Sequence, residues 1–187
     1  PASISSNTMQ QIADFQYKEK NVLWIGASNG LNKMDIKTRK FTHYPPTNKG
    51  YPYNYIEALV VDPSGMVWIG CSDGGIHKFN PETEQYTHYQ HEPDNPYSLS
   101  DNRIPGLCLD RSGILWIGTG TELNKFDREK ETFTHYDIDR TNPDSPHYGG
   151  IIYFYEDSHG SLWVGTWNAL LKIDKENKTN PRFTTIL

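Results

Sequence analysis

Cysteine is scarce, with two in 187 residues, too few for a disulfide framework. A basic excess is missing as well: 18 Lys plus Arg stand against 23 Asp plus Glu, a net charge of -5. A chain that grips a phosphate backbone normally carries such an excess, so nucleic acid is not an expected partner. No apolar run approaches the roughly 20 residues of a membrane-spanning helix, so no membrane contact is expected within this segment. No signal peptide opens the chain. Hydrophobic residues make up only 35% of the sequence, yet 13% is aromatic, as 12 Tyr, 7 Phe and 5 Trp. Such a chain builds its core from aromatic and β-branched side chains, which favours strands. Fifteen Gly and 12 Pro imply many turns.

What the chain does have is repetition, at a period that marks arrays. Leu23-Trp24-Ile25-Gly26 returns as Val67-Trp68-Ile69-Gly70, Leu115-Trp116-Ile117-Gly118 and Leu162-Trp163-Val164-Gly165, in steps of 44, 48 and 47 residues. Phe41-Thr42-His43-Tyr44 keeps pace as Tyr86-Thr87-His88-Tyr89 and Phe133-Thr134-His135-Tyr136, then decays to Phe183-Thr184-Thr185-Ile186. A Leu31-Asn32-Lys33-Met34-Asp35 type segment lies between the two markers each time. Each repeat therefore predicts four short antiparallel strands, A to D. Strand A is expected at Ile12 to Tyr17, Ile56 to Val61, Ile104 to Leu109 and Ile151 to Glu156. Four strands per unit of about 40–45 residues is the arithmetic of a β-propeller blade. The fold expected is all-β: four consecutive four-stranded antiparallel blades at 9–46, 54–91, 102–138 and 149–187, as part of a larger ring.

Local chemistry supports this division. Asp62-Pro63-Ser64-Gly65, Asp110-Arg111-Ser112-Gly113 and Asp157-Ser158-His159-Gly160 read as type I turns between strands A and B. The first repeat has Lys18-Glu19-Lys20-Asn21 instead, read as a four-residue turn on a gapless alignment that sets Ile12 opposite Ile104. Aligning the linkers Ser3-Ile4-Ser5-Ser6-Asn7 and Ser98-Leu99-Ser100-Asp101-Asn102 would set Met9 there. Within strand B, Trp and Gly share a side, so the ring can lie beside a residue that lets the next blade approach. The four repeated Trp are accordingly assigned to packing between blades. Cys71 ends a strand B and Cys108 lies near the opposite end of a strand A, so two free thiols are expected.

These residues resemble the two-component regulator propeller repeat, with its Asp-x-x-Gly-x-Leu-Trp-Ile-Gly-Thr core, over nearly all of residues 9–187. The resemblance implies the sensor portion of a hybrid two-component histidine kinase, outside the bacterial inner membrane and hence periplasmic. It implies a binding module for a small solute, such as an oligosaccharide, without catalytic residues or cofactor in this segment. It also implies rings of about seven blades ahead of a membrane span and kinase. The chain starts in a linker and stops after a strand D, the phase of a piece of a longer array. Its expected partners are a solute and other blades or a second copy of the chain.

Varied loops on a rigid scaffold are where binding usually sits. The D-to-A linkers leave 11, 14 and 14 residues between Tyr44 and Ile56, Tyr89 and Ile104, and Tyr136 and Ile151. Asn54, Tyr55, Asn102, Arg103, His147 and Tyr148 are the linker candidates for ligand contact. Asn29, Asp73, Glu122, Trp167 and Asn168 are the B–C loop candidates. Trp167 is the one Trp outside the repeat, where the others carry Ser28, Ser72 and Gly120. Its indole either stacks on a flat ligand or packs on a linker. His43, His88 and His135 sit on different blades, too far apart to share one metal ion at ~2 Å bonds. Two other functions stay open: an interaction or dimerisation scaffold, and a lyase or hydrolase. A lyase would need a histidine-centred acid–base site on the ring axis, where only His147 is placed.

Overall fold

The computed structural model describes residues 3–6, 9–17, 20–45, 55–136, 150–167, 169–174 and 183–186. Among them every regular element is a strand. The first sheet comprises β1 (Met9–Tyr17), β2 (Lys20–Ala27), β3 (Gly30–Asp35) and β4 (Phe41–Tyr44). The second comprises β5 (Ile56–Val61), β6 (Val67–Cys71), β7 (Ile76–Asn80) and β8 (Gln85–Tyr89). The third comprises β9 (Gly106–Leu109), β10 (Leu115–Gly118), β11 (Leu123–Asp127) and β12 (Thr132–Tyr136). The fourth comprises β13 (Tyr153–Glu156), β14 (Leu162–Gly165), β15 (Leu170–Ile173) and β16 (Phe183–Thr185). Each is an antiparallel meander in sequence order. The chain forms two compact units: Pro1–Gln90 with Asn102–Ile104, and His91–Asp101 with Pro105–Leu187.

In the first unit the core lies between the first two sheets. Trp24 meets Phe79 edge-on at 6.0 Å, with Val22, Leu31, Ile56, Val67 and Ile69 around them. In the second unit Trp116 packs with Leu123, Ile151, Leu162, Val164, Leu171 and Ile173, from the third and fourth sheets. At ~25 cal/mol per Å², an indole burying ~200 Å² contributes about 5 kcal/mol before entropy is counted. The glycine of the repeated motif makes this approach possible: a Cβ on Gly118 would sit 2.3 Å from the Ile151 carbonyl oxygen. Trp24 and Trp116 are thus packing residues between sheets.

The A–B turns carry a second device. Gly113 N–H donates to the Asp110 carbonyl at 2.8 Å and adopts φ +82°, a region glycine occupies without strain. Asp110 Oδ1 accepts from the N–H groups of Ser112 and Ile114, as the Asx-type turn predicts. Its Oδ2 accepts from Trp116 Nε1 at 2.9 Å. Asp62 does the same for Trp68 at 3.0 Å, and Asp157 for Trp163 at 2.9 Å. One carboxylate therefore closes the turn and orients the indole six residues on.

Three sequence expectations need correction. Tyr17 pairs with Lys20 and Gln16 with Asn21, so Lys20 and Asn21 belong to β2 and only residues 18 and 19 separate the strands. Trp24 pairs with Ala13, 11 positions back, against 8 for Trp68, Trp116 and Trp163. Without the Asp turn the first hairpin runs three residues longer, and Met9, opposite Ala27, takes the place of Ile56 opposite Cys71. The gapless alignment on Ile12 is overturned. Strands β9 and β13 also begin two residues later than expected. Ile104 N–H bonds to the Cys71 carbonyl and Ile151 N–H to the Thr119 carbonyl, so both leave their own ladder to plug the preceding sheet. Cys71 and Cys108 are free thiols.

Candidate functional site

Two of the linkers are stapled to the sheets that follow them. Ahead of the third sheet, Asn124 Oδ1 accepts from Ser100 N–H at 3.0 Å while its Nδ2 donates to Ser100 Oγ at 2.6 Å. His135 Nε2 donates to the Ser98 carbonyl at 2.6 Å, and Phe133 N–H to the Tyr97 carbonyl at 2.8 Å. Leu99 is fully buried beneath this strap. The first sheet repeats the scheme: Ser5 N–H donates to Asn32 Oδ1 at 3.1 Å, and His43 Nε2 donates to the Ser3 carbonyl at 2.9 Å. Asn29, a candidate contact, is spent on the same strap through Ser5. Glu122 lies 3.7 Å from His135 Nδ1. His43 and His135 are thus linker anchors. A cleft of about 450 Å³ between the first strap and β4, lined by Ile4, Ser5, Leu31, His43 and Tyr44, gathers no charged groups.

The second sheet departs from this scheme. His77 stands where the first and third carry Asn32 and Asn124, and stacks on His88 with centroids 4.4 Å apart and planes 4° off parallel. Burial, helped by the charge His88 could carry, pushes His77 down to about 3, so it is neutral at ordinary pH. His88 Nε2 bonds to the Gly74 carbonyl of its own sheet.

Where the chain enters this sheet, two irregularities fall side by side. Tyr55 has φ +77°, rare for a non-glycine residue, and its ring is exposed. Its carbonyl accepts from Ser72 N–H at 3.0 Å, which holds the strained backbone in place. The ladder then skips from Ile56–Cys71 to Ala58–Gly70, leaving Glu57 as a bulge residue. A bulge re-aims a side chain. Glu57 meets Arg103 through two contacts, Nε to Oε2 at 3.3 Å and Nη2 to Oε1 at 3.4 Å. Arg103 is fixed on both sides, since the Asn102 carbonyl accepts from Gly75 N–H and Ile104 N–H donates to Cys71. The Arg103 side chain is half exposed. Burial, with the Glu57 charge added, pushes the Cys71 thiol up to about 12, so it stays protonated beside the pair.

Tyr55, Asn102 and Arg103 therefore come together, and Glu57 joins them although nothing in the sequence singled it out; no residue pattern marks a bulge between Ile56 and Ala58. Trp167 is 63% exposed, and a Cβ on Gly150 would lie 3.5 Å from its Nε1. The indole thus leans one edge on the linker and leaves its face open. Asp73 is an exposed loop residue. Asn54, His147, Tyr148 and Asn168 lie outside the described residues.

With the sheets and this cluster placed, likeness to known proteins becomes informative. Residues 98–121 and 147–168 match the family model of the two component regulator propeller. Those two segments are two component regulator propeller repeats. Over 111 residues it is 32% identical to histidine kinase P4 of Formosa agariphila, a match that covers 56% of this chain and 8% of that protein. Its fold resembles the extracellular domain of the hybrid two component system BT3049 of B. thetaiotaomicron, with TM-score 0.77 and 24% identity over 98% of this chain and 25% of that one. It also resembles a streptogramin B lyase, with TM-score 0.68 and 17% identity over 98% of this chain and 55% of that one. The four sheets therefore have the fold of β-propeller blades, and the chain spans 8% of the kinase and 25% of the first of these structures.

Proposed function

We propose that these regulator propeller repeats serve a periplasmic sensor that binds a small polyhydroxylated solute, an oligosaccharide being the chemistry the cluster suits. The observation that carries this reading is the Glu57–Arg103 pair, aimed by a bulge beside a strained, exposed Tyr55. A guanidinium donates to hydroxyl oxygens in a planar fork, and a carboxylate accepts from neighbouring hydroxyls. The Tyr55 ring offers a broad apolar face to the C–H side of a sugar ring. A carboxylate already paired with a guanidinium serves binding better than proton transfer, so the reading is a non-enzymatic one. Binding would act by differential affinity, favouring one arrangement of the propeller with the domains that follow it over another.

Calorimetry of the full sensor against an oligosaccharide panel tests this. Arg103→Ala and Glu57→Gln should each weaken binding at least about tenfold, the order expected for losing a charge-assisted hydrogen bond. Unchanged affinity in both variants would remove the cluster from the site. Should no small molecule bind at all, a scaffold for protein association becomes the better reading.

A further inference from the structure

The two members of the ion pair at the mouth of the second sheet are not equally accessible. The Glu57 side chain keeps 20% of its surface exposed, and that of Arg103 keeps 48%. Both are held by their neighbours. Glu57 lies in its bulge between Ile56 and Ala58, which are buried and paired with Cys71 and Gly70. Arg103 lies between Asn102, whose carbonyl accepts from Gly75 N–H, and Ile104, whose N–H donates to the Cys71 carbonyl. A solute arriving from solvent therefore meets a guanidinium that already carries a carboxylate, at 3.3 and 3.4 Å.

That geometry treats neutral and acidic solutes differently. A hydroxyl oxygen accepts from a guanidinium without disturbing the carboxylate beside it. An anionic oxygen that reaches Arg103 has two courses. It can settle beside Glu57, where two like charges face each other at close range in a partly desolvated mouth. Or it can take the guanidinium from Glu57, which strands a partly buried carboxylate without its counter-charge. Both courses cost affinity. The Glu57 charge reaches inward as well, adding to the burial that lifts the Cys71 thiol to about 12. Asp73, exposed on the loop whose Ser72 N–H holds the Tyr55 carbonyl, adds a second negative charge.

We infer that Glu57 is a specificity-determining residue, whose carboxylate admits neutral saccharides to Arg103 and turns acidic ones away. The inference rests on the solute-binding reading above and adds to it the charge class of the solute. Discrimination of this kind comes from a repulsive element set against the wrong ligand, not from one more contact to the right one. It also gives the pair a purpose at a binding mouth. A guanidinium without Glu57 would grip a carboxylate through its planar fork.

Calorimetry of the full sensor with matched saccharides tests it: neutral hexose tetrasaccharides, each paired with its counterpart oxidised to the carboxylate at C6. The wild type should bind a neutral member at least about tenfold more tightly than its acidic counterpart. Glu57→Gln keeps the shape and an acceptor for Arg103 while removing the charge. It should weaken binding of the neutral member and strengthen that of the acidic one about tenfold, reversing the preference. Arg103→Ala added to Glu57→Gln should abolish that gain, an outcome that a merely structural role of Glu57 would not produce. A wild type that binds both members equally, a Glu57→Gln variant with an unchanged ratio, or a gain that persists without Arg103 would each overturn the charge filter and leave solute binding standing. Binding of no member, by wild type or by Glu57→Gln, would overturn the solute-binding reading and this inference with it.

Discussion

The second and third sheets share a plan and differ where the chain enters them. Both bury a Trp completely, tether it to a turn aspartate and seat a glycine against an isoleucine. The third then straps its linker down with Asn124 and His135, spending the polar groups of the linker on the scaffold. The second has His77 in place of the asparagine, and a positive φ and a bulge at its mouth, where Tyr55 and Arg103 are exposed and Glu57 is partly buried. A linker held down by its own sheet belongs to the framework; the strained mouth of the second sheet is where we propose that solute binds. Strain survives only where surrounding hydrogen bonds over-determine it, and the Ser72 and Gly75 N–H bonds supply that constraint.

The shared part of the plan should show the largest effects. Trp68→Ala and Trp116→Ala are each expected to cost about 3–5 kcal/mol in chemical denaturation, the usual loss for emptying a buried aromatic site. A clear inequality between them would break the claim that both sheets use one packing scheme.

The histidine sharpens the contrast next. Because His77 is held near 3, the unfolded chain, with an ordinary value near 6.5, binds more protons throughout the interval between. Its contribution is therefore intact above pH 6.5 and is lost progressively as the pH falls toward 3. By pH 4.5 the loss is on the order of 2–3 kcal/mol. His77→Asn, which restores the residue of the first and third sheets, should flatten this acid limb in pH-dependent denaturation; an unchanged slope would mean that another group controls it.

In the third sheet, Asn124→Ala should cost about 1–2 kcal/mol, since it leaves the Ser100 N–H without its acceptor in a partly buried strap. Amide exchange at Ser100 should speed up while Trp116 keeps its protection. Exchange left at the wild-type rate would show that Leu99 burial alone holds the strap. The smallest effect is expected at the mouth of the second sheet. Arg103→Ala should change stability by less than about 0.5 kcal/mol, as exposed ion pairs contribute little. A larger loss would mean that the pair holds the fold and was not kept for a ligand.

Much of this architecture was legible beforehand. Local rules act within a few residues, and Trp-x-Gly spacing, Asp-x-Ser-Gly turns and strand alternation are local. They announced four sheets, the turn types and the packing role of Trp116 without any tertiary information. The same locality explains the misreading at the first hairpin: with Lys18 where the others have Asp, no nearby signal favoured Met9 over Ile12, and only cross-strand pairing resolved it. The indole contact of Asp110 was missed because the turn chemistry of an aspartate advertises its backbone bonds, not its second oxygen.

By itself, then, the sequence determined the repeat, its strands and its aromatic core, because hydrophobic period and turn chemistry are written residue by residue. Tertiary structure alone decided that the linkers ahead of the first and third sheets are strapped down. It turned His43 and His135 into anchors by bringing them to carbonyls 40 and 37 residues away. It made Glu57 a partner of Arg103, 46 residues on, by skipping one rung of a ladder. Contacts across such separations depend on register and on the approach of one sheet to the next, and neither is encoded in the neighbours of any single residue.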